Sequence, residues 1–189
     1  MNASGVVASQ SRLPVPDVTI MSGYMAAPPK NDVEKTTRTA IRGLKTKELV
    51  WIDRGCTFAD AEVRLRDLNY GYETATVFTH EQRAQIVLQI TGADLATQSR
   101  DRKISTGLFA VCFALYQGAS EVILSGISLS TGGYEYSRRP SLGPKDLRSK
   151  ERKHVLPDQT AIAKLLDAKL PVKTSEKALS DLTGLPFVS

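Results

Sequence analysis

Short β-branched runs alternate with stretches of helical spacing from about Asp17 to the end of the chain, and this alternation restricts the fold more than any other feature. Val18-Thr19-Ile20-Met21 predicts a strand, and Val33 to Leu44, with apolar residues three and four apart, predicts a helix. Glu48 to Ile52 predicts a second strand, and Thr57 is placed to cap a helix that runs to about Leu68. A strand over Thr74 to Phe78 and a helix over Glu81 to Ile90 follow. Ser105-Thr106-Gly107 opens a helix of small and apolar residues that ends near Gly118. Glu121 to Leu124 predicts a strand, Pro157 to Ala168 a helix, and Lys169 to Lys173 a last strand. Strands separated by helices pair in parallel, because a crossover is long enough for a helix and a hairpin is not. The pattern therefore predicts an α/β fold, a mainly parallel sheet with helices on both faces.

The 189 residues are expected to form a single domain, 1–189, large enough to bury most of its apolar surface. A hydrophobic content of 41% and a charged content of 24% belong to a folded soluble protein and exclude a disordered one. The formal charge of +5 favours an anionic partner. Cys56 and Cys112 lie far apart without CxxC spacing, so both are read as reduced and the compartment as cytoplasmic. No basic start followed by an apolar run marks a signal peptide, and the longest apolar run, Leu108 to Tyr116, is too short to span a bilayer. There is no GxxxxGK[ST] phosphate loop, no GxGxxG turn, no HExxH and no Cys/His cluster, so neither a metal nor a resident cofactor is expected. Nucleic acid is not expected either, since the basic residues lack interleaved aromatics and a reading helix.

In parallel α/β sheets ligands bind where strands end and loops leave for the next helix. The stretch Ser125 to Gly133 is such an end, and its glycines and hydroxyls, Ser125, Gly126 and Ser128 among them, let a sugar or phosphate approach the backbone. Tyr134 and Tyr136 can donate to a phosphoryl oxygen; a plain turn carrying two half-buried tyrosines fits the same residues. Lys103-Ile104-Ser105-Thr106-Gly107 stands before a helix, where free N–H groups can hold an anion, or where Ser105 or Thr106 simply caps the helix. The segment 138–153 is basic, poor in apolar residues and punctuated by Pro140 and Pro144, as a mobile surface loop would be. His154 can take a proton from a hydroxyl or be a surface histidine, Asp158 suits a helix start, and His80 reads as structural.

In order and spacing, Ile104-Ser105-Thr106-Gly107-Leu108-Phe109, Ala114-Leu115, Gly118 and Glu121-Val122-Ile123-Leu124-Ser125-Gly126-Ile127 resemble the central motif of the bacterial sialyltransferases of glycosyltransferase family 42. His154, followed by Asp158 and Ile162, resembles the family's histidine before a helix, and the likeness covers roughly Lys103 to Leu170. It implies a Rossmann-like nucleotide-binding fold and an inverting, metal-independent transfer of sialic acid from CMP-sialic acid to a glycan hydroxyl. It implies His154 as base, Tyr134 or Tyr136 as phosphate-binding tyrosine, a basic mobile lid at 138–153, and Lys103, Ser105, Thr106, Gly107, Ser125, Gly126 and Ser128 around the donor. Asn2 matches the nucleotide-contacting asparagine. The departures are Ser128 where the family has an aspartate, Ser130 in place of a tyrosine, and no first strand or Gly-rich turn before Asn2, so that Met1 to Gly5 reads as the end of a strand whose body would lie upstream. Peripheral association with the inner membrane and oligomerisation stay open. So does a second reading, a nucleotide- or partner-binding scaffold that keeps the fold without turnover.

Overall fold

The computed structural model describes residues 15–22, 35, 38–39, 41–53, 57–96, 103–127, 129 and 154–189. The chain divides between Arg83 and Ala84 into two compact units. In the first, strands β1 (Val18–Ser22), β2 (Lys45–Ile52) and β3 (Gly71–Phe78) form a sheet in the order β1-β2-β3. Both pairings are parallel, and Trp51 lies opposite Met21 on one side and Val77 on the other. The central strand ends in a continuous apolar run, Leu49-Val50-Trp51-Ile52, and all four side chains are buried, as befits a strand whose two faces are both covered. Met21, Ile41, Leu49, Trp51, Ala61, Leu65 and Tyr70 form one core cluster, with Phe58 and Tyr72 partly buried against it. The Phe58 ring lies 6.3 Å from Trp51 and 6.2 Å from Tyr72.

Helix α1 (Phe58–Asp67) begins where the sequence predicts. The Thr57 hydroxyl accepts from Asp60 N–H at 3.2 Å, and the Asp60 carboxylate accepts from Thr57 N–H at 3.3 Å, a reciprocal cap on two otherwise orphaned donors. Ala61 and Leu65, one turn apart, are its buried stripe. The chain leaves it through Asn69 at φ 51°, a left-handed conformation that asparagine tolerates. Strands β2 and β3 each begin three residues before their apolar patterns, at Lys45 and Gly71, because backbone pairing continues where the side chains have turned polar. Of the helix predicted over Val33 to Leu44, Lys35, Arg38 and Thr39 are helical, and the chain is already turning at Ile41. The division between the units falls within helix α2 (His80–Thr91).

The second unit contains α3 (Thr106–Tyr116), β4 (Val122–Leu124), α4 (Val155–Asp167), β5 (Val172–Thr174) and α5 (Lys177–Thr183). Strands β4 and β5 pair in parallel, and Thr174 also bridges to Phe187. Leu108, Phe109, Val111, Cys112 and Phe113 of α3 are buried, and Ala161, Ile162 and Leu165 form the buried stripe of α4. Pro157 sits in the first turn of α4, where its missing N–H costs nothing. The last strand begins later than the sequence predicts, because Lys169 at φ 53° is still closing α4. The architecture is thus α/β, with every described strand pairing parallel. Among the described residues no helix is long and apolar enough to cross a membrane.

Candidate functional site

Two parallel strands bring their carboxyl ends to the same side, so the exits of β4 and β5 are neighbours. Leu124 closes β4, and its carbonyl accepts from Ser175 N–H at 3.1 Å and from the buried Thr174 hydroxyl at 3.0 Å. Two residues on, Gly126 adopts φ 76°, which favours glycine, and its N–H donates to the Glu176 carboxylate at 2.6 Å. Ser125 is exposed at this corner. Ile127 then lies against the start of α3: a Cβ at Gly107 would stand 3.5 Å from the Ile127 Cδ1 atom, an ordinary contact. Packing there does not require glycine.

At the start of α3, Ser105 is the N-cap residue and its hydroxyl accepts from Leu108 N–H at 3.2 Å. The capping role open to Ser105 in the sequence is therefore filled. Among the described residues, the N–H groups of Thr106 and Gly107 have no hydrogen-bond partner, and both residues are half-buried. Ile104, fully buried, anchors the segment by donating its N–H to the Leu95 carbonyl at 2.9 Å.

Helix α4 begins beside this segment. His154 is its half-buried N-cap residue, but the imidazole does not cap. It turns to Lys103, and Nδ1 lies 2.7 Å from that residue's carbonyl oxygen. A carbonyl can only accept, so Nδ1 carries the proton and the neutral ring keeps its lone pair on Nε2. Asp158, buried at 5% exposure, accepts the Ser105 N–H at 2.7 Å. Its own N–H donates to the His154 carbonyl at 2.9 Å. A charged acceptor aimed at a backbone donor compensates the burial of the carboxylate.

The fold thus gathers Lys103, Ser105, Thr106, Gly107, Ser125, Gly126 and His154 at the ends of β4, α3 and α4. Asn2, Ser128, Tyr134, Tyr136 and the predicted lid 138–153 lie outside the described residues, as do Cys56, Ser130 and the expected strand end at Met1 to Gly5. Two carboxylates were not legible as parts of this corner. Asp158 looks like an acid attracted to a helix start, yet its partner lies 53 positions away. Glu176 precedes a helix too short to stand out, and its carboxylate serves Gly126, 50 positions away, rather than capping that helix. Cys112 is buried and forms no disulfide among the described residues. Among the described residues no group of His, Cys, Asp and Glu side chains is arranged to hold a metal ion. Comparison with protein-family models, with curated proteins and with solved structures returns no match to this chain.

Proposed function

We propose that the chain is a sialyltransferase-like glycosyltransferase of Rossmann-like fold, working in the cytoplasm on a glycan acceptor. The donor is a nucleotide sugar, CMP-sialic acid by resemblance, and transfer is inverting and independent of a metal. The observation that supports this best is the His154 ring, whose Nδ1–H is committed to Lys103 and whose Nε2 can accept a proton. In the reaction Nε2 takes the proton of an acceptor hydroxyl as that oxygen bonds to the anomeric carbon. The bond from that carbon to the phosphate oxygen breaks, and CMP departs with the electron pair. The Thr106 and Gly107 N–H groups are oriented by their helix to receive an anion. Tyr134 or Tyr136, with Arg138 or Arg139, would neutralise the leaving phosphate, and the basic 138–153 segment would exclude water.

The test is calorimetric titration with CMP, with UMP and GMP as controls, followed by transfer from CMP-sialic acid. Selective CMP binding, weakened by Tyr134→Phe or Tyr136→Phe, is expected. His154→Ala should then lower transfer by about 10²–10⁴-fold, the range of a lost general base. Unchanged transfer would remove His154 from this role. A second reading, a binding scaffold without turnover, draws on a specific feature. Ser105 spends its N–H on Asp158, and its hydroxyl oxygen is held as the helix cap, which leaves one donor fewer for a phosphate. CMP binding without sugar transfer would favour it.

A further inference from the structure

Three hydrogen bonds form a closed ring around the start of α4. The His154 ring donates from Nδ1 to Lys103 O at 2.7 Å, Ser105 N donates to Asp158 Oδ1 at 2.7 Å, and Asp158 N donates to His154 O at 2.9 Å. Lys103 and Ser105 are two residues apart, so the peptide that accepts from the imidazole is held by the peptide that donates to the carboxylate. Asp158 grips both sides, its backbone on the histidine and its side chain on the Lys103–Ser105 segment. It lies too deep for direct contact with an acceptor sugar, at 5% exposure.

We propose that Asp158 is a positioning residue that fixes the His154 ring as the Nδ1–H tautomer, with the lone pair on Nε2. The carboxylate does this through Ser105, by holding the Lys103 carbonyl where the ring meets it. Without that hold the Lys103–Ile104 peptide keeps its tie from Ile104 N–H to the Leu95 carbonyl but can tilt about it, which loosens the carbonyl's contact with the ring and frees the imidazole to carry its proton on either nitrogen. The kinetic consequence rests on the transfer reading above; the tautomer does not.

The experiment is 15N NMR of the imidazole rings in the intact chain, with the neutral His154 signal identified by comparison with His80→Gln, since the chain has two histidines. In the wild type the Nδ1 shift should be that of a protonated nitrogen and the Nε2 shift that of a bare one. Asp158→Asn keeps an oxygen facing Ser105 N–H and should keep this pattern. Asp158→Ala should average the two shifts. A wild-type ring protonated on Nε2, or an unchanged tautomer in Asp158→Ala, overturns the proposal. Should the alanine variant not fold, loss of the pattern in Asp158→Asn overturns it equally. In the transfer assay, Asp158→Ala should lose about 100-fold in kcat, the penalty of a displaced reacting group, while Asp158→Asn stays within about threefold. A wild type that transfers no sugar sinks the transferase reading and leaves the tautomer result to stand or fall alone.

Discussion

Tyr70 illustrates how one side chain can tie the fold to pH. It is buried in the core cluster of the first unit, and that burial raises its phenol above the ordinary value, with a hydrogen bond to Thr19 opposing in part. A raised acid favours the folded state while it is neutral. The contribution is whole below the unfolded value of about 10 and is lost as pH rises through the folded value. Tyr70→Phe should therefore flatten the fall of the urea midpoint between about pH 9 and about pH 12. Some fall will remain, because burial and the 2.9 Å bond from its hydroxyl to Glu62 also raise Tyr72. Identical slopes in wild type and variant would mean that the Tyr70 phenol titrates alike in both states. None of this is visible in the sequence, where Tyr70 and Tyr72 both sit in an unremarkable turn after a helix.

At the scale of elements, the chain was most legible where local chemistry and burial agree. Thr57 and Ser105 both cap their helices, Ser105 filling a role that the sequence leaves open between Ser105 and Thr106, because a hydroxyl just before a helix can accept from its first free N–H groups. Nothing in the sequence marks helix α5, for equally physical reasons. It has seven residues and one buried side chain, Leu179, so it carries no stripe and would not persist alone. The meeting of His154 and Asp158 with Lys103 and Ser105 depends on partners more than fifty positions away, which no local pattern encodes. The sheet of the first unit offers an elementwise test. Strand β2 is paired along both edges, whereas β3 pairs with β2 along one edge and, among the described residues, has no partner along the other. Amides of β2 should exchange slowest in this unit, while every second amide of β3 exchanges fast. Uniform protection along β3 would reveal a further segment covering it.

For the whole molecule, the two compact units each carry one natural reporter. Trp51, the sole tryptophan, is fully buried in the first, and Cys112 is fully buried in the second. A red shift of Trp51 emission should report the opening of the first unit, and thiol labelling of Cys112, in a Cys56→Ser background, the opening of the second. Thr57→Ala should lower the stability read by Trp51 by about 1 kcal/mol, the worth of a lost cap. Gly184→Ala, at φ 78° after α5, should speed Cys112 labelling by costing about 1–2 kcal/mol in a left-handed position. Coincident urea midpoints for the two probes would identify one cooperative folding unit, and separate midpoints two.

The parallel pairing of the strands also sets a clock on biosynthesis. No described strand can meet its neighbour through a tight turn, and Val122 must wait for Val172, fifty residues later. At the ribosome's pace of about 5–20 residues per second, that wait lasts roughly 2.5–10 s. Throughout it, β4 leaves the tunnel as Val-Ile-Leu with no strand among the described residues to receive it, so a short apolar run stays unpaired for seconds.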